Sequence, residues 1–316
     1  MVDYRIFRNT DPPALADIWN EALTGRGEVG LRHSSPLETY VFAKPYFDPA
    51  GLLVAVQDDR LVGFAHAGFG ANEDESGLGH DAGVICLIAV RPAYRRRGIG
   101  SELLSRCEDY LVRRGARTIF AGQMAPCNPF YFGLYGGSSI PGFLSSDVVA
   151  EPFLLKHGYR IDKTRRVLQR QLSQPVNIVD PRFPAIHRLY QLRIAPRSGA
   201  STWWQECVLG PVESVEFRLE NKVTNELVAL TAVWEMDGFS WRWNQPSVGI
   251  LDIEVREDLR HKGLAKYVLF QMLHYLQDQF FGLAEIQVPE CNESALRLCQ
   301  CVGFEQVDVG RLYKKC

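Results

Sequence analysis

The chain has 316 residues, of which 46% are hydrophobic and 23% charged, and its formal net charge is -2. That is enough apolar material for two cores, and it gives no global basic field to draw nucleic acid or an anionic membrane. Any basic site must be local. The eight cysteines include no CxxC pair, which favours free thiols in a reduced compartment over a disulfide framework or a zinc site. No metal is expected. The N-terminal "MVDYRIFRNTDPPALADIW" has no apolar signal core, and no run of about 18 apolar residues is present to span a membrane. A cytoplasmic protein is expected.

In chain order, "GLLVAVQDDRLVGFAHAGFG" predicts a hairpin turning at Asp58-Asp59-Arg60. "GVICLIAV" (83–90) predicts a short, largely buried strand. "RPAYRRRGIGSELL" (91–104) then brings three consecutive arginines and Gly-Ile-Gly, and Leu103, Leu104, Cys107 and Leu111 form one apolar helical stripe. "RTIFAG" predicts another strand. The stretch "APCNPFYFGLYGGSSIPGFLSSD" (125–147) is rich in Gly, Pro and aromatics; connections of that length without regular structure are usually functional. "EPFLLKHGYRI" predicts a helix, a turn at Gly158 and a last strand.

Pro175, Pro181 and Pro184 break regular structure in "LSQPVNIVDPRFP". They place a boundary near residue 174, dividing the chain into 1–174 and 175–316. Beyond it the pattern returns. "ESVEFRLENKVTNELVALTAVWEM" is a second hairpin, "VGILDIEV" (248–255) a second buried strand, and "REDLRHKGLAKYVL" (256–269) a second basic turn. The helical stripe is now Val268, Leu269, Met272 and Leu276, and "LAEIQV" and "SALRLCQCVGFEQV" complete the copy. Arg91 aligns with Arg256, Arg95 with Arg260, Gly98 with Gly263 and Gly100 with Ala265, each at an offset of 165. Such a fixed offset marks an internal repeat. Gly158 and Gly303 are only 145 apart, so the first copy carries 165 − 145 = 20 extra residues, which fall in the aromatic stretch.

A strand, a basic glycine turn and a helix suit an anion. The first N–H groups of a helix lack intrahelical partners, and the helix dipole makes that end partly positive. Glycine lets backbone approach a phosphate without a Cβ in the way, and arginine adds charge-assisted bonds. The triple arginine therefore reads as one wall of a diphosphate site. The GxxxxGK[ST] phosphate loop is absent, and the glycine pair lies too far beyond its strand for a dinucleotide fingerprint.

Strand, "V-R-P-x-Y-R-R-R-G-I-G", helix, strand and helix-"G-Y/F"-strand together resemble the GNAT superfamily of acetyl-CoA-dependent N-acyltransferases, whose signature [RQ]-x-x-G-x-[GA] is met twice, as "RRRGIG" and "RHKGLA". The resemblance implies an α/β (α+β) fold of two GNAT-like domains, each a mixed, mostly antiparallel twisted sheet flanked by helices. It implies acetyl transfer from acetyl-CoA to a primary amine, on a small molecule or a peptide, by direct attack on the thioester. It also implies cofactor contacts at Val90, Arg95, Arg96, Arg97, Gly98, Ile99, Gly100 and Ser101 in the first copy. In the second they are Val255, Arg260, His261, Lys262, Gly263, Leu264, Ala265 and Lys266. The first half, with its glycines, three arginines and insert, is the favoured cofactor site.

The chemistry needs a base for the amine and an acid for the leaving thiolate. The tyrosine that often serves as acid in the family is replaced by Leu154 in the first copy and by Cys299 in the second, the latter reading as a structural thiol. Tyr131 and Tyr135 of the insert are candidates to replace it, and the insert itself to wall the acceptor site. Asp252 and Glu254 sit two apart on one strand and so face one side. They read either as base or as ion-pair partners, with Arg242 a candidate cation. The first strand has no carboxylate, leaving His80 and Asp81 upstream. Trp234, Trp241 and Trp243 are placed near the second site or the domain interface. The missing tyrosines sustain a rival reading, an acyl-CoA-binding sensor or scaffold with one or both domains inactive. The sequence names neither the acceptor nor an oligomeric state.

Overall fold

The computed structural model describes residues 1–316 apart from 198, 200 and 201. The first half runs β1 (Asp3–Ile6), α1 (Pro12–Ala22), α2 (Ser35–Leu37), β2 (Leu52–Gln57), β3 (Arg60–Ala71), β4 (Leu78–Val90), α3 (Ile99–Arg113), β5 (Thr118–Ala121), β6 (Phe143–Leu144), α4 (Ala150–Lys156) and β7 (Tyr159–Gln171). The second runs α5 (Phe183–Leu189), β8 (Tyr190–Pro196), α6 (Trp203–Leu209), β9 (Ser214–Asn221), β10 (Leu227–Glu235), α7 (Asp237–Trp243), β11 (Ser247–Val255), α8 (Leu264–Asp278), β12 (Leu283–Pro289), α9 (Glu293–Cys301) and β13 (Glu305–Lys315). No described helix is long and apolar enough to cross a membrane.

The repeat is exact in register where it matters. β4 and β5 pair in parallel from Ala82–Thr118 to Ile85–Ala121, and β11 and β12 from Ser247–Leu283 to Ile250–Ile286, every residue displaced by 165. Cys86 and Leu251, again 165 apart, are each skipped in the pairing with the preceding strand, a β-bulge that re-aims the residues after it. The hairpin turn at Asp58 and Asp59 has positive φ at both residues (51° and 59°), the backbone a tight hairpin requires.

The strands form one sheet in the order β1-β2-β3-β4-β5-β13-β7-β12-β11-β10-β9-β8, with β6 also on β13. Each half lends its last strand to the middle. β5 meets β13 of the second half, and β12 meets β7 of the first. α3 covers one face of the first half with Ile99, Leu103, Leu104, Cys107 and Leu111, and α8 does the same in the second with Leu264, Val268, Leu269, Met272 and Leu276. A third core lies on the opposite face and is shared by both halves. α1 enters that shared core through Leu15, Ile18 and Trp19. Its positional counterpart α5 instead packs Phe183 on Tyr267 and Phe270 of α8, with ring centroids 5.2 and 5.1 Å apart.

The insert is not a surface loop. Phe130, Tyr131, Phe132, Leu134, Tyr135 and Ile140 are all buried in the shared core. Its backbone is claimed by the second half: Glu285 accepts from Ser138 N at 2.8 Å, Gln287 Nε2 donates to Gly136 O and Ser139 O at 2.8 Å, and Trp234 Nε1 donates to Ser138 O at 3.1 Å. At about 2 kcal/mol per buried side chain, those six residues bring on the order of 10 kcal/mol of gross burial, before ordering costs. A segment held that firmly is a wedge between the halves, not a lid.

Candidate functional site

The two basic turns have one construction. After each strand a single 3-10 turn leads to a residue with φ 63°, Arg96 or His261, and then to the glycine that starts the helix, Gly98 at φ 83° or Gly263 at φ 87°. Glycine is needed there because other L-residues resist that conformation. Arg95 Nε donates to Val90 O at 3.0 Å, and Arg260 Nε to Val255 O at 3.4 Å. Arg97 Nη2 donates to Ala93 O at 2.9 Å, and Lys262 Nζ to Asp258 O at 3.0 Å. The flanking cations buckle the turn, and Arg95 also reaches Ala22 O at 2.8 Å. Arg96 alone makes no side-chain bond among the described residues. The earliest intrahelical acceptors, Gly98 O and Gly263 O, are bonded by Glu102 N and Tyr267 N. The N–H groups of Ile99, Gly100 and Ser101, and of Leu264, Ala265 and Lys266, thus have no partner among the described residues.

The two cradles differ in what stands over them. A Cβ placed on Gly98 would meet no described residue within 4 Å, so the space above the first glycine is open. On Gly263 it would come within 2.9 Å of the Arg182 guanidinium carbon. Arg182 Nη1 donates to His261 O at 3.3 Å, and Asp180 holds Arg182 bidentately at 2.7 and 2.8 Å and Lys266 at 3.3 Å. The hydrogen bonds from Arg182 keep the Asp180 carboxyl well below its ordinary range. An internal carboxylate therefore already occupies the cationic seat of the second cradle. Beside the first, Ser101 Oγ and His157 Nε2 lie 2.9 Å apart, and Phe153 packs over Gly100.

Beyond Ile85 and Ile250 the parallel pairs end, and each central strand splays from its neighbour. Past the first bulge, Leu87 and Ala89 face the shared core and are 1% and 2% exposed. Their counterparts at +165 are Asp252 and Glu254, both exposed. Partial desolvation by the surrounding protein, then the charge of Glu254, raises the Asp252 carboxyl above its ordinary value, with Arg165 and Arg197 opposing. Arg242 is not their partner: it donates to Thr24 O and Gly25 O at 2.7 and 2.6 Å.

Tyr131 and Tyr135 lie far from solvent. Tyr131, 1% exposed, stacks on Trp19 at 5.6 Å and shares a 3.0 Å hydrogen bond with His66 Nδ1. The Tyr135 hydroxyl accepts from Leu144 N at 3.2 Å. Burial pushes both phenols far above their ordinary value, which suits packing rather than proton donation. Leu154 and Cys299 are also buried, the thiol pushed up to about 12. His80 and Asp81 are exposed near the start of β4, at the end away from the cradle. Trp234 and Trp243 bond the first half through Ser138 O and Arg26 O, while Trp241 is exposed under Arg32. Asp180, Arg182 and Arg165 were not singled out by sequence; an Asp-Pro before a helix in both halves, at Asp11 and Asp180, was the available signal.

The sequence pattern of the acetyltransferase (GNAT) family matches residues 14–135 and 187–304. A mycothiol acetyltransferase of Acidimicrobium ferrooxidans is 36% identical over 36% of this chain and 36% of its own length, so that match spans little more than a third of either protein. The mycothiol acetyltransferase of Salinispora arenicola is 24% identical over 93% of this chain and 91% of its own. The solved tandem GNAT protein from the clavulanic acid biosynthesis pathway is similar in fold, with a TM-score of 0.65, 15% identity, and 99% and 98% of the two chains covered.

Proposed function

Because the chain belongs to the acetyltransferase (GNAT) family, we propose that it acetylates a primary amine from acetyl-CoA, and that the amine is met at the second splay, between β11 and β12. The observation that carries this is the pair Asp252 and Glu254, accessible at the positions where the first half has Leu87 and Ala89 buried in the shared core. The division at residues 1–174 and 175–316 belongs to the same reading.

Acetyl-CoA supplies the acetyl group as an activated thioester. Arg260, Lys262, Lys266 and the free N–H groups at the start of α8 would hold its diphosphate, with Arg182 turning from Asp180 to the incoming charge. Asp252 and Glu254 draw in the ammonium group, and the raised Asp252 carboxyl, the better base, takes its proton directly or through water. The amine's C–N bond would then form as the thioester C–S bond breaks, coenzyme A leaving as thiolate that picks up a proton. The bulge at Leu251 turns backbone toward the cleft, where an N–H is placed to bind developing negative charge. The first half, open above Gly98 and buried at Leu87 and Ala89, fits the second reading: it holds acyl-CoA without turnover.

The test is coenzyme A release with an amine panel. Asp252→Asn and Glu254→Gln should each cut kcat/KM by about 100-fold while acetyl-CoA binding persists. Gly263→Asp should abolish turnover and Gly98→Asp should not; loss in the Gly98 variant alone would move the enzyme to the first half.

A further inference from the structure

We infer that Arg165 reads an anionic group on the acceptor, so that the amine acetylated at the second splay is one that also carries a carboxylate. The inference rests on the proposed reading of that splay. Arg165 stands on β7 two residues before Val167, which lies in the shared core. Strand alternation puts both on the same face, the face of Leu251 and of the Asp252 and Glu254 carboxylates.

Arg165 has titratable neighbours in Asp252 and Cys291 but no hydrogen-bond partner among the described residues. Its register neighbours are Pro289 on β12 and Gly310 on β13, neither with a side chain that can accept a hydrogen bond. The space a Gly310 side chain would take is filled by Pro141 of the insert. Arg165 makes no hydrogen bond or ion pair with any described residue, and its Nε is buried without a partner. Other arginines nearby are engaged. Arg166 reaches Gln306 at 2.8 Å and Glu290 at 2.9 Å, Arg170 holds Val302 O and Pro175 O, and Arg197 reaches Gln205 at 3.1 Å.

A half-buried guanidinium without a partner is costly, so its retention needs a reason. Pairing with Asp252 is not sufficient: the two are near enough for each to bias the other's ionisation, yet no contact ion pair closes between them. The cleft is left with a planar fork of five donors on one wall and two carboxylates on the other. The fork matches a carboxylate in shape and charge, and the carboxylates match an ammonium. A molecule with both groups satisfies the two walls at once, and a simple amine leaves Arg165 unpaired.

The experiment uses the full chain and three matched pairs: alanine, lysine and phenylalanine, each beside its α-amide. Binding is read by calorimetry without acetyl-CoA, and transfer by coenzyme A release. The wild type should favour at least one acid over its amide by about tenfold or more, the worth of one charge-assisted pair. Arg165→Gln should lose that preference through KM, the acid falling to the level of its own amide in the same variant, and Arg165→Lys should keep part of it; thermal melts confirm folding. An acid that binds through Arg165 but is never acetylated overturns the proposed transfer and supports the recognition. Amides acetylated as well as their acids, a preference that survives Arg165→Gln, or no acid bound at all, each overturns the inference.

Discussion

Arg165 and Gly310 face each other across the β7–β13 pair, and they are the residues that the offset of 145 between Gly158 and Gly303 makes equivalent. Where equivalent residues of two repeats pair in an antiparallel ladder, a two-fold axis passes between them. The halves are thus joined about an axis through the centre of the sheet, each completed by the other's last strand. Residues 1–174 alone should lack the neighbour of β5 and show no cooperative urea transition by circular dichroism. Co-expression with 175–316 should restore one transition for both. A sharp transition in the isolated first piece would show that β13 is dispensable to it.

Glu28 is 5% exposed, one carboxylate oxygen has no hydrogen-bond partner among the described residues, and burial raises its pKa to about 7. Its folded value lies above its unfolded one, so its contribution is fully present below the unfolded value. It is lost as pH rises from near 4.5 through about 7. The span corresponds to roughly 3 kcal/mol. Glu28→Gln should match the wild type in urea at pH 5 and exceed it at pH 8. An equal gap at both pH values would refute the assignment.

Gly98→Asp brings a like charge to the first cradle. Acetyl-CoA affinity there should fall about 10-fold or more, while Gly98→Asn, with a similar backbone cost and no charge, should lose less. Calorimetry decides between them; equal losses would mean that the backbone, and not the anion, is what Gly98 serves.

Asp180→Asn removes the internal anion from the second cradle. Arg182 and Lys266 are then free for a diphosphate, and acetyl-CoA affinity at that half should rise by about tenfold. The carboxyl is held so far below its ordinary range that acidification in the physiological span should not mimic the substitution. A fall in affinity would show that Asp180 positions Arg182 for the cofactor instead of competing with it.

The duplicated strand-turn-helix units were legible because their apolar stripes and glycine turns are local patterns, and the offset of 165 carries over to the parallel pairs and both bulges. The contrast of Leu87 and Ala89 with Asp252 and Glu254 was legible in the same register. What covers each pair was not, because an aromatic run such as Phe130-Tyr131-Phe132 reads equally as a cleft wall and as a core. Its fate is set by distant partners, Glu285, Gln287 and Trp234. Nor could composition tell that α5 packs on α8 while α1 packs on the shared core, since both helices offer apolar residues.

The placement of β13 has a consequence for biosynthesis. Tyr313 lies opposite Ala121, so β5 waits for a partner made 192 residues later. Until then a nascent chain carries an unsatisfied sheet edge, the feature that most readily recruits a second chain. Ribosome-bound chains stalled before Glu305 should be cut readily by protease near β5 and should bind a chaperone that chains stalled well beyond Cys316 no longer need. The order in which the ribosome delivers the strands, and not the final stability, would then limit the yield of this protein.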